Sequence, residues 1–151
     1  MSKRRVVITG LGAVTPVGND IPAFWAAIQE GKCGVAPITL YDTENNKCKL
    51  AAEVKDFQPE QFLDKKELRH MDRFTQFALV AAREAMQDSG LNMEQEDATR
   101  CGTVVSSGIG GIATTAEEHS KGLTKGFDRI SPFYIPMAIA NMAAGQIAIA
   151  Y

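Results

Sequence analysis

Residues 136–151 form an apolar run broken only by Asn141 and Gln146. Pro136 suits a first helical turn, and a helix that is apolar on every side has to be buried. At about 16 residues it falls short of the roughly 20 that a bilayer span needs, so protein must cover it. Its alanines and its glycine allow a second backbone to come close. Little else in the sequence reads as a cover for this segment. The expectation is therefore a chain whose fold is incomplete at Tyr151, exposing an apolar patch that leaves it aggregation-prone or partly folded by itself.

The rest must supply whatever core exists. With 151 residues and 45% apolar side chains, the chain is long enough for one ordinary domain. Its formal net charge of −2 gives no global attraction to nucleic acid or membrane, so any basic site must be local. Cys33, Cys48 and Cys101 are odd in number, widely spaced and form no C-x-x-C pair. That pattern speaks against a disulfide framework or structural zinc, and a reducing cytoplasmic setting is expected. Lys3-Arg4-Arg5 followed by Val6-Val7-Ile8 superficially resembles a secretion signal, but Gly10 and Gly12 cut the apolar run short.

Residues 6–8 read instead as a buried central strand, and residues 101–106 as a second. Residues 49–54 suggest a modest strand. Asp20 offers an N-cap for a helix with Phe24, Trp25 and Ile28 at helical spacing, stopped by Gly31. Asp72 caps the clearest helix, with Phe74, Phe77, Ala78, Ala81, Ala85 and Met86 on one face and Ser89-Gly90 as its stop. Thr114 with Glu117, or Thr115 with Glu118, forms a capping-box pattern from which a further helix should start. Alternation of strands and helices predicts an α/β layered fold.

The familiar ligand motifs fail on spacing. Gly10 and Gly12 supply G-x-G, but Thr15 stands where a dinucleotide fingerprint needs its third glycine. Gly31-Lys32 is followed by Cys33 rather than the Ser or Thr of a phosphate loop. Ser106-Ser107-Gly108-Ile109-Gly110-Gly111 lacks the G-x-S-x-G of a nucleophile turn, although its glycines would let the backbone pass close to a ligand or another chain. The three cysteines read as ordinary residues without an adjacent base. Lys65, Arg69 and Arg73 fall at i, i+4 and i+8 if helical, with Lys66 beside them. This stripe is either a solvated face neutralised by Asp64, Glu67 and Asp72, or a docking patch for an acidic partner.

In order along the chain stand Arg4-Arg5-Val6-Val7-Ile8-Thr9-Gly10-Leu11-Gly12, Thr15-Pro16-Val17-Gly18-Asn19, Met71-Asp72-Arg73-Phe74 and Ala85-Met86-Gln87-Asp88-Ser89-Gly90-Leu91. Ser107-Gly108-Ile109-Gly110-Gly111, Ile130-Ser131-Pro132-Phe133 and Asn141-Met142-Ala143-Ala144-Gly145 follow. As an ordered set these segments resemble the N-terminal part of the β-ketoacyl-acyl carrier protein synthases, most nearly the synthase II branch of fatty acid biosynthesis. The resemblance implies a thiolase-like α/β layered fold, present here as an incomplete N-terminal half, in an enzyme that is usually a homodimer. It implies an acyltransferase: a cysteine thiolate accepts the acyl group, and a decarboxylating Claisen condensation with malonyl-acyl carrier protein gives the 3-oxoacyl product. Backbone amides stabilise the oxyanion in that family.

The family's cysteine lies shortly after the position matching Tyr151, and its histidines lie further on. The resemblance therefore places no catalytic residue within residues 1–151, which read as one N-terminal synthase domain truncated before that cysteine and inactive alone. What it carries over is binding. Ile109 matches the acyl-pocket gate, while Phe133, Met137 and Ala138 match acyl-pocket lining near the dimer interface. Lys65, Lys66 and Arg69 fall in the segment that meets acidic acyl carrier protein, and His70 stands where that family often has a basic residue. No metal or cofactor of the chain's own is implied, since substrates arrive on the phosphopantetheine of the carrier. Neither nucleic acid nor membrane insertion is expected. A non-catalytic carrier-binding or partner module is the competing function.

Overall fold

The computed structural model describes residues 3–151. Its helices are α1 (Ile21–Gln29), α2 (Lys65–Leu68), α3 (Arg73–Ser89), α4 (Ile112–Lys125), α5 (Tyr134–Ala138) and α6 (Met142–Ala150). A two-residue strand β1 (Ala36–Pro37) pairs antiparallel with β2 (Leu50–Ala51), Ala36 opposite Ala51. The modest strand expected within residues 49–54 is thus present, though short.

α3 is the spine. The Asp72 carboxylate accepts from Phe74 N at its start, and Gly90 at φ 65° closes it in the left-handed conformation that glycine adopts without strain. Thr75, Leu79 and Val80 are its buried residues. The expected face, Phe74, Phe77, Ala78, Ala81, Ala85 and Met86, is only half-buried. The cover comes from more than one side, and it centres on a different line of the helix. α6 packs along α3 more extensively than any other pair of elements meets, and Ala143 is buried to 1%.

That packing corrects the reading of the last segment twice. α3 covers one side of α6, so the segment is not left bare. Nor is it one helix: the chain breaks between Ala138 and Met142. In a continuous helix the Ala138 carbonyl would serve the amide of residue 142. Here it accepts from Gly111 N at 2.9 Å, and Met142 N donates to Ile139 O instead.

Residues 6–8 and 101–106 are not strands. A strand requires a neighbour to take its N–H and C=O groups, and among the described residues none lies beside either segment. Val6 is 91% and Val104 100% exposed. Residues 10–13 are nevertheless fixed, because α3 holds them through its carboxylates. Leu11 N donates to Asp88 Oδ2 and Ala13 N to Glu84 Oε2, each at 2.9 Å, and Ile21 N donates to Glu84 Oε1 at 2.7 Å. A Cβ on Gly10 or Gly12 would collide with the Ala85 or Ala81 carbonyl. These two glycines serve arm-to-helix packing.

α1 starts as expected, with Asp20 Oδ1 accepting from Ala23 N at 2.7 Å. Its stripe faces outward, however. Trp25 and Ile28 are exposed, and Ala27 is the buried residue. α4 begins two residues before Thr114, at a Gly111 cap without a side-chain acceptor, so the capping box does not form.

Candidate functional site

The basic segment folds locally for a simple reason. Asp64 Oδ1 accepts from Lys66 N at 2.6 Å and caps α2, which stops at Leu68. Lys65, Lys66 and Arg69 are exposed. Among the described residues none of the three is in an ion pair. Asp72 is buried and turned toward Thr114, so the neutralised-face reading loses one of its three carboxylates. Arg73 leaves the expected stripe: it opens α3, donates to Val54 O at 3.1 Å, and lies over the rings of Phe57 and Phe77.

Asp72 connects this segment to the next part of the site. Buried to 8%, its Oδ2 accepts from Thr114 Oγ1 at 2.6 Å and from Thr114 N at 3.2 Å, while Oδ1 accepts from Phe74 N. One carboxylate thus satisfies the N-terminal amides of both α3 and α4, where the helix dipoles also favour negative charge. Sequence reading found the cap on α3. The partner 42 residues away leaves no local trace.

The loop before α4 presents Ile109. Ser107 Oγ accepts from Gly110 N at 2.9 Å, and Gly110 takes φ 82°. Ile109 is 71% exposed at the tip of this turn. Behind it, Gly110 and Gly111 lie against Met137, Ala138 and Ala140 so closely that no Cβ fits at either. The glycines are therefore occupied by the chain's own backbone. The loop carrying Ile109 and the segment carrying Met137 and Ala138 are brought together.

Phe133 sits on the stretch that leads into α5. Glu118 Oε2 accepts from Ser131 N at 2.7 Å, and Ser131 Oγ accepts from Phe133 N at 3.2 Å. The Ser131 amide, helped by the Lys121 ammonium, holds the Glu118 carboxyl below its usual range against the opposing effect of burial. The Phe133 ring stacks on the His70 imidazole, with centroids 3.8 Å apart and planes 24° from parallel. Neither residue type nor spacing announced this contact across the chain.

Cys33, Cys48 and Cys101 are exposed, and the thiols of Cys48 and Cys101 rest against the carbonyls of Leu50 and Asp97. A cleft of about 440 Å³ between α3, α6 and residues 101–105 is lined by Met86, Leu91, Val105 and Ile147. Ile109, Phe133, Met137 and Ala138 are not part of it and stand at the surface or half-buried.

Comparison with known proteins identifies the family and the fold. The family model described as beta-ketoacyl synthase, N-terminal domain, matches residues 3–151. A 3-oxoacyl-(acyl-carrier-protein) synthase 2 of Coxiella burnetii is 48% identical over 151 residues, covering 100% of this chain and 36% of that protein. The chain thus spans about a third of the length of that relative. Among solved structures, the ishigamide ketosynthase/chain length factor superposes with a TM-score of 0.83 at 29% identity, over 98% of this chain and 37% of that one. The structure of a type II PKS acyl-carrier protein in complex with its ketosynthase bound to the hexaketide gives a TM-score of 0.81 at 23% identity. It covers 99% of this chain and 39% of that one. The fold is that of part of the N-terminal half of the thiolase-like ketosynthases, and the short sheet is what these residues form of its layers.

Proposed function

The chain belongs to the β-ketoacyl synthase family, and from that premise we propose that the whole protein elongates acyl chains by decarboxylating condensation with malonyl-acyl carrier protein. The observation that carries this reading is the match of the full 151 residues to a named synthase 2 at 48% identity. Within it, the exposed cations Lys65, Lys66 and Arg69 receive the acidic carrier. Ile109, Phe133, Met137 and Ala138 border the acyl chain. The nucleophile and its histidines come from outside these residues, and the 151-residue chain alone does not turn over. The working protein is a cytoplasmic homodimer that uses the carrier's phosphopantetheine and no cofactor of its own.

The division of labour follows from charge and polarity. Exposed cations act at long range and set encounter more than chemistry. Apolar side chains grip an acyl chain without directing bond breaking. A condensation assay on the full-length protein, with acyl- and malonyl-acyl carrier protein, should yield the 3-oxoacyl product. Lys66→Glu with Arg69→Glu should raise KM for the carrier roughly tenfold with kcat little changed, and the loss should shrink with salt. Carrier binding without product in the wild type would overturn condensation. It would favour a partner module, a role suggested by the likeness to a ketosynthase/chain length factor.

A further inference from the structure

The stretch from residue 131 to 138 is tied down at both ends by hydrogen bonds and at its middle by one ring. Glu118 holds Ser131, and Gly111 N holds the Ala138 carbonyl. Between them, the Phe133 ring meets His70, which stands two residues past the end of α2. His70 has little freedom of its own. Its N–H donates to Glu67 O, and the next residue, Met71, is buried. Gln76 Nε2 donates to the carbonyls of Leu68 at 3.4 Å and Met71 at 3.1 Å, fixing the chain on both sides of His70. Asp72 then locks the turn to α4. Phe133 is 43% exposed, so the imidazole covers one side of its ring and leaves another side open.

We propose that His70 is a positioning residue that couples the basic helix α2 to Phe133, setting the ring's place and thereby the acyl length accepted. The inference rests on the carrier-dependent synthase reading above. A carrier seated on Lys65, Lys66 and Arg69 lies against the turn that holds His70, and the stack is the contact that passes any shift of that turn to Phe133. Stacked rings hold each other in place, whereas a lysine at position 70 would lose the stack.

The test uses the full-length protein as wild type, His70→Ala, His70→Lys and His70→Phe. It compares kcat/KM for hexanoyl- and tetradecanoyl-carrier and follows the Phe133 ring resonances during titration with holo-acyl carrier protein. His70→Ala and His70→Lys should move the chain-length ratio toward the longer substrate by about threefold to tenfold, with carrier KM changed less than about twofold. His70→Phe should restore the wild-type ratio. The ring resonances should respond to carrier in the wild type and His70→Phe, and not in His70→Ala. An equal loss for both substrates, or no rescue by His70→Phe, overturns the proposal. A wild type that makes no product defeats the synthase reading instead, and the ring titration then still decides the coupling.

Discussion

Amide groups in the first turn of a helix have no partner within the helix, and at position 72 one carboxylate serves two such turns. Asp72 accepts from Phe74 N of α3 and from both donors of Thr114 in α4, and it is buried among them. Asp72→Ala removes a cap and strands buried donors, so it should cost about 2–4 kcal/mol in a denaturant titration of the folded protein. Thr114→Val removes one hydroxyl while the carboxylate keeps its amide partners, and should cost about 1 kcal/mol. Equal costs for the two would show that Asp72 does not bridge the helices. The cap on α3 was legible because Asp before a periodic apolar run is a local signal. The bridge was not, because Thr114 is 42 residues away. His70 was hidden for the same reason: its partner is Phe133.

At the scale of elements, α3 organises its neighbours through polar groups on its outer face. Glu84 and Asp88 hold Leu11, Ala13 and the start of α1 by their backbone amides, which a pattern of apolar residues cannot reveal. Glu84→Ala should release both Ala13 and Ile21, so their amide exchange should quicken while the α3 amides keep their protection. Matching loss along α3 would mean that these amides are held by something else. The turn at Ser131 depends on pH through Glu118, whose carboxyl is held below the usual value of 4.5 chiefly by the Ser131 N–H. A depressed folded-state pKa adds stability above the unfolded value, and that stability is lost as pH falls through the lower folded one. The Ser131 amide resonance should therefore be steady above about pH 4.5 and move below it. In Glu118→Gln that movement should vanish. The break between α5 and α6 belongs to this scale too. Composition favoured one helix, and Gly111 took the carbonyl that would have continued it.

Across the whole molecule, the apolar surface is unevenly covered. Val6, Ile8, Val104 and Ile149 are 91%, 82%, 100% and 77% exposed, and an apolar cleft of about 440 Å³ opens between α3, α6 and residues 101–105. Surfaces of this kind are partner-seeking. The 151-residue chain expressed by itself should self-associate with rising concentration and bind a hydrophobic dye, as read by sedimentation and fluorescence. A monomeric chain with a sharp, reversible melt would contradict this. The sequence by itself determined the caps of α1 and α3, the glycine stop of α3 and the family, since these rest on side chains and neighbours a few residues apart. It also placed apolar residues at 6–8 and 101–106 but could not supply their partners. A strand exists only when another strand takes its hydrogen bonds, and a helix face is buried only where something lies on it. Tertiary structure alone decided that these runs meet no strand among the described residues, that Ala138 ends a helix, that Asp72 joins two others, and that His70 meets Phe133. Each of these depends on a group far away in the chain, and local pattern carries no record of distance in space.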